Sequence, residues 1–407
     1  MTDTQVIAVT HVRRSGAETR PAADAPTVDA ISIRGSGLHA RVVKRNQWAA
    51  LVPAWDDLVG RCAEDNVYYS PKYSLALAET TERRSNVSLA TVWDGNRLVA
   101  LLPFVTKGRL AFPFSARGQA WASKFVYNCM PLFDRDRLND AAEALVELLC
   151  HVERTEWIIP TVNVRGAACQ ALLAALEKRA RPWFFSERFE RAVLNAGLTF
   201  EEHEKRYLSA NRRKSLARNR RRLSELGSID FQCHVGGSDL DSAVSAFLEI
   251  EGAGWKGRRG TALAKNDDTK AFALKAFTGS PAICRADVLN LNGNPIAVSL
   301  VAKAGQTGFA VKAAYDENYR SYSPGLLLEL ELIRSFLSGA WARQLDGATA
   351  GEHVLDEMWS DKTEVADLIF SLNSRLPRTR LLALQVSNRA RSSLKNRAKV
   401  ALALVRS

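Results

Sequence analysis

One short turn carries residues that could bind an anion. It runs from Arg320 to Gly325 with the sequence RSYSPG and precedes an almost wholly apolar stretch. Pro324 suits the first position of a helix, and Ser323 can cap that helix with its side chain. The next backbone N–H groups, at Gly325, Leu326 and Leu327, would be free, and Gly325 has no Cβ to keep an anion away. The turn therefore predicts a pyrophosphate-binding site made by the helix dipole, the free N–H donors and Arg320. The alternative is an ordinary capped core helix.

The turn lies inside a strand, turn, helix, strand unit. Gly308 to Ala314 is short and apolar, which indicates a buried strand. Pro324 to Leu337 predicts a buried helix that Gly339 can end. Trp341 to Leu345 predicts the next strand.

Composition places the chain among soluble globular proteins. The 407 residues are enough for two domains, and 46% hydrophobic with 25% charged residues is typical of packed domains. No apolar run is long enough to span a bilayer, and no secretory signal is predicted. The 6 cysteines contain no Cys-x-x-Cys pair, and the 6 histidines show no ligand spacing. We therefore expect a cytoplasmic protein with no metal.

The net charge of +12 comes from two segments. Residues 205–222 and 375–407 each contain nine Lys or Arg residues and no acid, so the remainder is net acidic. We interpret the first segment as a linker helix whose charges lie on a solvated face, away from any cleft. Nucleic acid is not expected as a partner, because stacking aromatic residues are not interleaved with the charges. The second segment predicts a peripheral contact with anionic membrane.

Periodicity predicts a repeated plan. In the first half the predicted elements are helices at Trp48–Val59, Tyr69–Ala78 and Leu138–Val152, a hairpin at Val87–Val105, and strands at Phe125–Leu132 and Trp157–Val164. In the second half a hairpin at 282–302, turning at Asn292-Gly293, precedes the unit described above. Phe125 and Trp157 have the same spacing as Phe309 and Trp341, which favours duplication. Asp140-Ala141 stands where the second half has Pro324-Gly325, so only the second half is expected to bind a cofactor.

Two motifs resemble those of a known family. Lys312-Ala-Ala-Tyr315-Asp316 followed by Tyr322-Ser-Pro-Gly325, and the upstream stretch GWKGRRGTAL at 254–263, are similar to cellulose-biosynthesis-type GNAT acyltransferases, which are distantly similar to Fem-type transferases. The resemblance implies two GNAT-like domains in tandem, with acetyl-coenzyme A or another acyl-coenzyme A as co-substrate. It also favours the linker interpretation of the first basic segment.

The implied reaction suggests what the catalytic candidates could do. Tyr315 is a candidate acid, with aromatic packing as the alternative, and Lys312 could lower a neighbouring pKa or contact phosphate, with an exposed charge as the alternative. Acyl transfer needs a base for the acceptor, a polarised thioester carbonyl and a proton for the leaving thiolate. Asp346, at the carboxyl end of a strand, is the expected base, with a turn aspartate as the alternative. The catalytic candidates are Asp346, Tyr315 and Lys312. The backbone near Val311 to Ala313 is expected to polarise the thioester carbonyl. The cofactor-binding candidates are Val311, Ala313, Arg320, Tyr322, Ser323, Pro324, Gly325 and Leu326.

The glycine-rich stretch 254–263 predicts a cationic loop. It could close over the acceptor or the coenzyme phosphates, or be an exposed basic loop. The substrate candidates are Trp255, Lys256, Arg259 and Asp316. Glu249 and Glu251 precede the loop as weaker catalytic candidates.

These observations predict an α/β (α+β) fold with mixed, mostly antiparallel sheets flanked by helices. The expected domain scheme is a disordered leader at 1–30, an N-terminal GNAT-like domain at 31–200, a basic linker helix at 201–226, a C-terminal GNAT domain at 227–372 and a basic tail at 373–407. The expected function is transfer of an acyl group to an amine or hydroxyl of a cell-envelope or exopolysaccharide acceptor. An aminoacyl-tRNA-dependent Fem-type transferase and a non-catalytic module that binds an anionic polymer or membrane are the alternatives.

Overall fold

The computed structural model describes residues 30–33, 36–107, 117–153, 155–349 and 353–373. The expected leader, except for residue 30, and the expected basic tail, except for residue 373, lie outside these ranges.

The described residues form both helices and strands. The helices are α1 (Trp48–Gly60), α2 (Pro71–Glu79), α3 (Leu138–Val152), α4 (Ala167–Lys178), α5 (Phe200–Tyr207), α6 (Ala210–Ser224), α7 (Gly237–Ala253), α8 (Trp255–Arg258), α9 (Asp267–Phe277) and α10 (Pro324–Ser338). The strands are β1 (Ile31–Ser32), β2 (Leu38–Lys44), β3 (Ser88–Asp94), β4 (Arg97–Thr106), β5 (Gly118–Ala120), β6 (Leu132–Phe133), β7 (Glu156–Asn163), β8 (Trp183–Asn195), β9 (Ile229–Val235), β10 (Cys284–Leu291), β11 (Asn294–Ala304), β12 (Thr307–Tyr315), β13 (Gln344–Asp346) and β14 (Asp361–Ser371).

The chain forms two compact units. One contains the described residues of 30–69, Ser85–Glu190 and 363–373, and the other contains Ser70–Arg84 and Arg191–Lys362. Helix α2 therefore packs with the second unit, where the Tyr73 ring lies 5.3 Å from that of Phe272. The domain boundaries expected from the sequence stay a prediction.

The first unit has a mixed sheet in the order β1-β2-β3-β4-β5-β7-β14, with β6 paired to β4. β3 and β4 form the predicted hairpin, and β5 runs parallel to β7 with α3 between them in sequence. The predicted strand at 125–132 is wrong. Asn66 Nδ2 donates to the carbonyls of Asn128 (3.2 Å) and Met130 (2.9 Å), so a side chain takes up backbone groups that a strand ladder would use.

The second unit has the end of β8 followed by β13-β12-β11-β10-β9. β10 and β11 form the predicted antiparallel hairpin, and β12 runs parallel to β13 with α10 between them in sequence. The plan β5-α3-β7 thus recurs as β12-α10-β13. The residue spacing that favoured duplication does not mark equivalent strands, because Phe125 lies in a loop and Trp341 precedes β13. The predicted fold class is confirmed, with mixed sheets flanked by helices.

The first basic segment lies in α5 and α6, two helices of the second unit where one linker helix was predicted. Leu216 and Leu223 of α6 are buried in the apolar core that includes Leu327 and Leu328 of α10. The basic residues of α6 lie before Leu216 and between the two buried leucines. Helix α6 is therefore part of the folded core of this unit.

Candidate active site

The parallel pairing of β12 with β13 ends early and leaves an opening beside β12. Its register runs from Thr307, opposite Gln344, to Phe309, opposite Asp346, where β13 ends. Among the described residues, β12 continues for six more residues without a strand on that side. The opening exposes backbone polar groups of β12 that a full ladder would use, and such groups can receive a ligand. Val311 and Ala313, the predicted carbonyl-polarising residues, lie on this free part of the strand.

A bulge in β12 stands at the opening. Leu300 of β11 pairs with Lys312, and Val301 pairs with Ala310, so Val311 is an extra residue on β12. A bulge interrupts the alternation of side chains between the two faces of a sheet. It turns Lys312 to the face opposite that of Ala310.

The two faces of the sheet carry different candidates. Ala310 and Tyr315 pack against the core formed with α10. Lys312 faces α7 instead, where it interacts electrostatically with Glu251. The structure thus places Tyr315 and Lys312, two predicted catalytic residues, on opposite faces of β12.

The turn before α10 differs from the predicted cap. Ser323 adopts a left-handed conformation with φ 54° and ψ 52°, and its side chain does not cap the helix. The Ser323 carbonyl accepts the N–H groups of Leu326 (3.0 Å) and Leu327 (3.1 Å), so the expectation that both are free is wrong. The Gly325 N–H has no hydrogen-bond partner among the described residues. Pro324 occupies the first helical turn as predicted.

Helix α6 lies against this turn. Asn219 Nδ2 donates to Ser323 Oγ (3.2 Å), and the Arg222 guanidinium lies 5.1 Å from the centre of the Tyr322 ring. The expectation that the α6 charges are remote from the cleft is therefore wrong for Arg222. Together with the exposed Arg320, it adds positive charge beside the start of α10.

Both carboxylate oxygens of Asp346, the predicted base, already have partners in the protein. Arg191 Nη1 lies 3.4 Å from each carboxylate oxygen, and the Ala348 N–H donates to Oδ1 at 2.7 Å. Arg191 is only 2% exposed and also donates from Nε to the Thr349 carbonyl. This arrangement ties the end of β13 to β8, and it gives Asp346 a structural role beside any catalytic one.

Glu251 organises the predicted acceptor loop from within α7. It is 4% exposed, and its oxygens accept from Lys256 Nζ (2.9 Å) and from the Leu263 N–H (2.8 Å). The sequence signal for it is the apolar stripe of α7 at Leu240, Ala243, Val244, Phe247 and Leu248, which a carboxylate continues at helical spacing. A buried carboxylate at that position requires partners, and the sequence did not predict that Glu251 would hold the loop.

A second carboxylate, Glu317, holds the beginning of the same stretch. The Trp255 N–H donates to Glu317 Oε1 (2.6 Å), and Arg258 forms an ion pair with the same carboxylate. The Arg258 partner is the largest cause of the lowered pKa of Glu317. Arg259 lies over the Trp255 ring at 5.2 Å. The stretch predicted as a loop is thus the short helix α8 with its following turn, closed at both ends.

Asp316 and Lys312 lie just after and shortly before the carboxyl end of β12. Asp316 accepts the Asn318 N–H (2.9 Å) and so begins the 3₁₀ turn that leads to α10. Burial lowers the pKa of the Lys312 amine, and the charge of Glu251 opposes that shift. Lys312, Glu251 and Lys256 therefore form one partly buried cluster under α7 and α8.

No three His, Cys, Asp or Glu side chains among the described residues are grouped as a metal site requires. Within the same part of the chain, no helix has the length and apolarity to cross a bilayer.

Comparison with known proteins supports a transferase. Residues 210–346 match the family described as acetyltransferase (GNAT) domain, and this range includes the whole β12-α10-β13 unit. Among curated proteins, none matches this chain. The cellulose-biosynthesis subtype is not distinguished by the family match.

Three solved structures share the fold over most of the chain. The C-terminal domain of a putative lysylphosphatidylglycerol synthetase from Agrobacterium fabrum has 13% identity and a TM-score of 0.52, covering 84% of this chain and 96% of its own. FemX has 11% identity and a TM-score of 0.51, covering 83% and 97%. A conserved protein of unknown function from Bacteroides thetaiotaomicron has 10% identity and a TM-score of 0.51, covering 79% and 97%. At these identities the likeness concerns the fold alone.

Proposed function

We propose that this chain transfers an acyl group from acyl-coenzyme A, in the simplest case acetyl-coenzyme A, to an amine or hydroxyl acceptor. One observation carries the proposal. β12 and β13 separate after Phe309 and Asp346, and α10 begins beside the opening with a glycine whose N–H is not engaged by the described residues. Such an opening accommodates an extended thioester along a strand, with its phosphates at a helix start.

The residues around the opening would have different roles in the reaction. The Gly325 N–H and Arg320 would hold the pyrophosphate, with Tyr322, Ser323, Pro324 and Leu326 shaping the turn. The backbone at Val311 and Ala313 would polarise the thioester carbonyl. Lys312 would accept the proton of the acceptor, since the oxygens of Asp346 already hold Arg191 and a backbone N–H. Tyr315 would act from the α10 face, as an acid or through packing.

The acceptor would bind on the α7 face. Trp255 and Arg259 form a stacked cationic and aromatic surface there, with Lys256 and Asp316 as further polar contacts. A cell-envelope or exopolysaccharide acceptor fits a surface that combines stacking with charge. The cellulose-biosynthesis subtype rests on the resemblance of the two motifs. Contact with anionic membrane through the basic tail is part of the same proposal and concerns residues outside the described ranges.

Binding of the donor is the direct test. The purified full chain is examined by native mass spectrometry for a copurifying acyl-coenzyme A, and by isothermal titration with acetyl-coenzyme A. We expect one binding event per chain, competed by coenzyme A. Absence of binding in a folded sample would contradict the proposal.

An aminoacyl-tRNA donor is the second candidate, and one observation favours it. The basic helix α6 contacts the turn before α10 through Asn219 and Arg222, so the positive charge lies beside the donor opening. A polyanionic donor would use that charge over several phosphates. Copurifying RNA together with loss of activity after RNase treatment would select this candidate. Insensitivity to RNase with binding of acetyl-coenzyme A would select the first.

A further inference from the structure

Glu251 stands where two parts of the candidate site meet. It lies on α7 between the α8 loop on one side and β12 on the other. Its two oxygens are used by Lys256 Nζ at 2.9 Å and by the Leu263 N–H at 2.8 Å. The carboxylate therefore bridges the beginning and the end of the GWKGRRGTAL stretch.

A buried carboxylate of this kind needs a reason beyond loop packing. Glu251 is 4% exposed, and a desolvated charge costs several kcal/mol unless it is paired and hydrogen-bonded. Lys256 and the Leu263 N–H supply two partners. The bulge at Val311 turns Lys312 towards α7, the helix that carries Glu251, so the Lys312 amine faces the same carboxylate from β12. A carboxylate beside two amines favours the charged form of each, and only Lys312 lies on the strand that borders the donor opening.

We propose that Glu251 is a positioning residue that joins the acceptor loop to Lys312, so that the loop and the amine of Lys312 are held in one arrangement. The contacts of Glu251 support the link between the loop and Lys312, and the catalytic use of that link rests on the proposed function.

The transfer step balances with these groups. The acceptor nitrogen or oxygen gives its proton to neutral Lys312 Nζ and forms a bond to the acyl carbon. The bond from that carbon to the thioester sulfur breaks, and the sulfur leaves as thiolate. The proton on Lys312 then passes to the thiolate, which restores the neutral amine. Glu251 stabilises the ammonium form between these two proton transfers.

Other charged groups face the same cluster. Lys256 comes from α8 and is paired with Glu251. Burial lowers the pKa of His353 against the charge of Asp356, and the charge of Lys256 lowers it further, so His353 also borders the cluster. On the β13 side Asp346 is held by Arg191, so that pair adds little net charge. Glu249 lies two residues before Glu251, on the exposed side of α7, and provides a matched control on the same helix.

The experiment uses the full chain with lysine labelled by ¹³C at Cε, and follows its NMR resonances against pH. The Lys312 signal is assigned with Lys312→Arg. In Glu251→Gln the Lys312 titration should move to lower pH, because the ammonium loses the nearby negative charge. In Glu249→Gln it should stay where it is in the parent. An unchanged Lys312 titration in Glu251→Gln would overturn the inference.

Hydrogen exchange separates the charge from the loop contact. Gln at position 251 retains an oxygen that can accept from the Leu263 N–H, so protection of that amide should persist in Glu251→Gln. Glu251→Ala removes the acceptor, and the Leu263 amide should exchange faster. Loss of protection with no change at Lys312 in either variant would show a loop contact only and contradict the coupling. None of these measurements needs a donor, so failure to bind acyl-coenzyme A would remove the proposed function and leave this result standing.

Discussion

A Cβ atom placed on Gly325 would lie 3.3 Å from Cδ1 of Tyr315. The glycine thus lets the first turn of α10 pack directly against a tyrosine on the strand that borders the opening. The sequence alone suggested that the missing Cβ serves an anion. The structure adds that it also serves this packing, and the two roles can be separated.

Gly325→Ala should weaken acetyl-coenzyme A binding with little loss of stability. Alanine improves helix propensity by up to about 1 kcal/mol over glycine, which offsets the few tenths of an ångström that Tyr315 must give. Shielding or shifting the Gly325 N–H removes a charge-assisted hydrogen bond worth about 1.5–3 kcal/mol, about tenfold or more in Kd. Isothermal titration and thermal melts measure the two effects. The double variant Gly325→Ala/Tyr315→Leu restores space beside position 325, so recovered affinity for acetyl-coenzyme A in it would assign the loss to packing. Parental affinity in Gly325→Ala alone would contradict the prediction and show that the turn only begins the helix.

Arg320→Ala should weaken binding of the same donor by less, and the effect should shrink as salt is raised. Arg320 is exposed, so its attraction for phosphate is screened over about 10 Å at 0.1 M ionic strength. Titration with acetyl-coenzyme A at low and high salt checks this. Arg343→Ala, another exposed arginine of the same unit, is the control and should change neither value. If Arg320→Ala and Arg343→Ala weaken donor binding equally, Arg320 contributes only to the general positive charge and does not contact the donor.

Arg222→Glu should weaken donor binding, whereas Arg218→Glu should not. Arg222 lies over Tyr322 beside the turn, and Arg218 is an exposed residue of the same helix. Because both substitutions change the net charge equally, the difference between them reports position. Acetyl-coenzyme A titration measures it. If the two variants lose affinity for RNA equally while coenzyme binding is absent in the parent, the aminoacyl-tRNA candidate is favoured.

Asp346→Asn should lower the free energy of unfolding by about 1–3 kcal/mol, because Arg191 loses a charged partner inside the protein.

Lys312→Met removes the proposed proton acceptor and should abolish transfer while donor binding persists. Chemical denaturation and turnover assays on both variants check these effects. A folded Asp346→Asn protein that binds donor and has no turnover, beside an active Lys312→Met protein, would return the role of base to Asp346.

Glu329 should make stability depend on pH. Burial raises its pKa from 4.5 to about 7, against the hydrogen bond from Trp359 Nε1 (2.6 Å), which lowers it. Between these two pH values the folded state binds more protons than the unfolded state, so this group's contribution to stability falls as pH rises. The parent should therefore lose more stability than Glu329→Gln between pH 4.5 and 7. Parallel denaturation curves over this range would contradict the shift.

Local patterns determined the elements on which the site is built. The apolar runs predicted α3 and α10 within one residue of their observed ends, and the turns Asp94-Gly95 and Asn292-Gly293 marked the two hairpins. These features depend on neighbours a few positions apart, so the sequence alone contains their cause. The segment 125–132 has the composition of a strand, but a distant asparagine, Asn66, takes up its carbonyls.

The arrangement of the candidate site was decided only by the tertiary structure. The bulge at Val311 sets which face Lys312 occupies, and with it the partner Glu251. Asp346 meets Arg191 across 155 positions, and Ser323 meets Asn219 across 104. Sequence periodicity gives the direction of a side chain relative to its own element. Which element lies opposite depends on sheet register and helix packing, and these follow from the burial of the whole core.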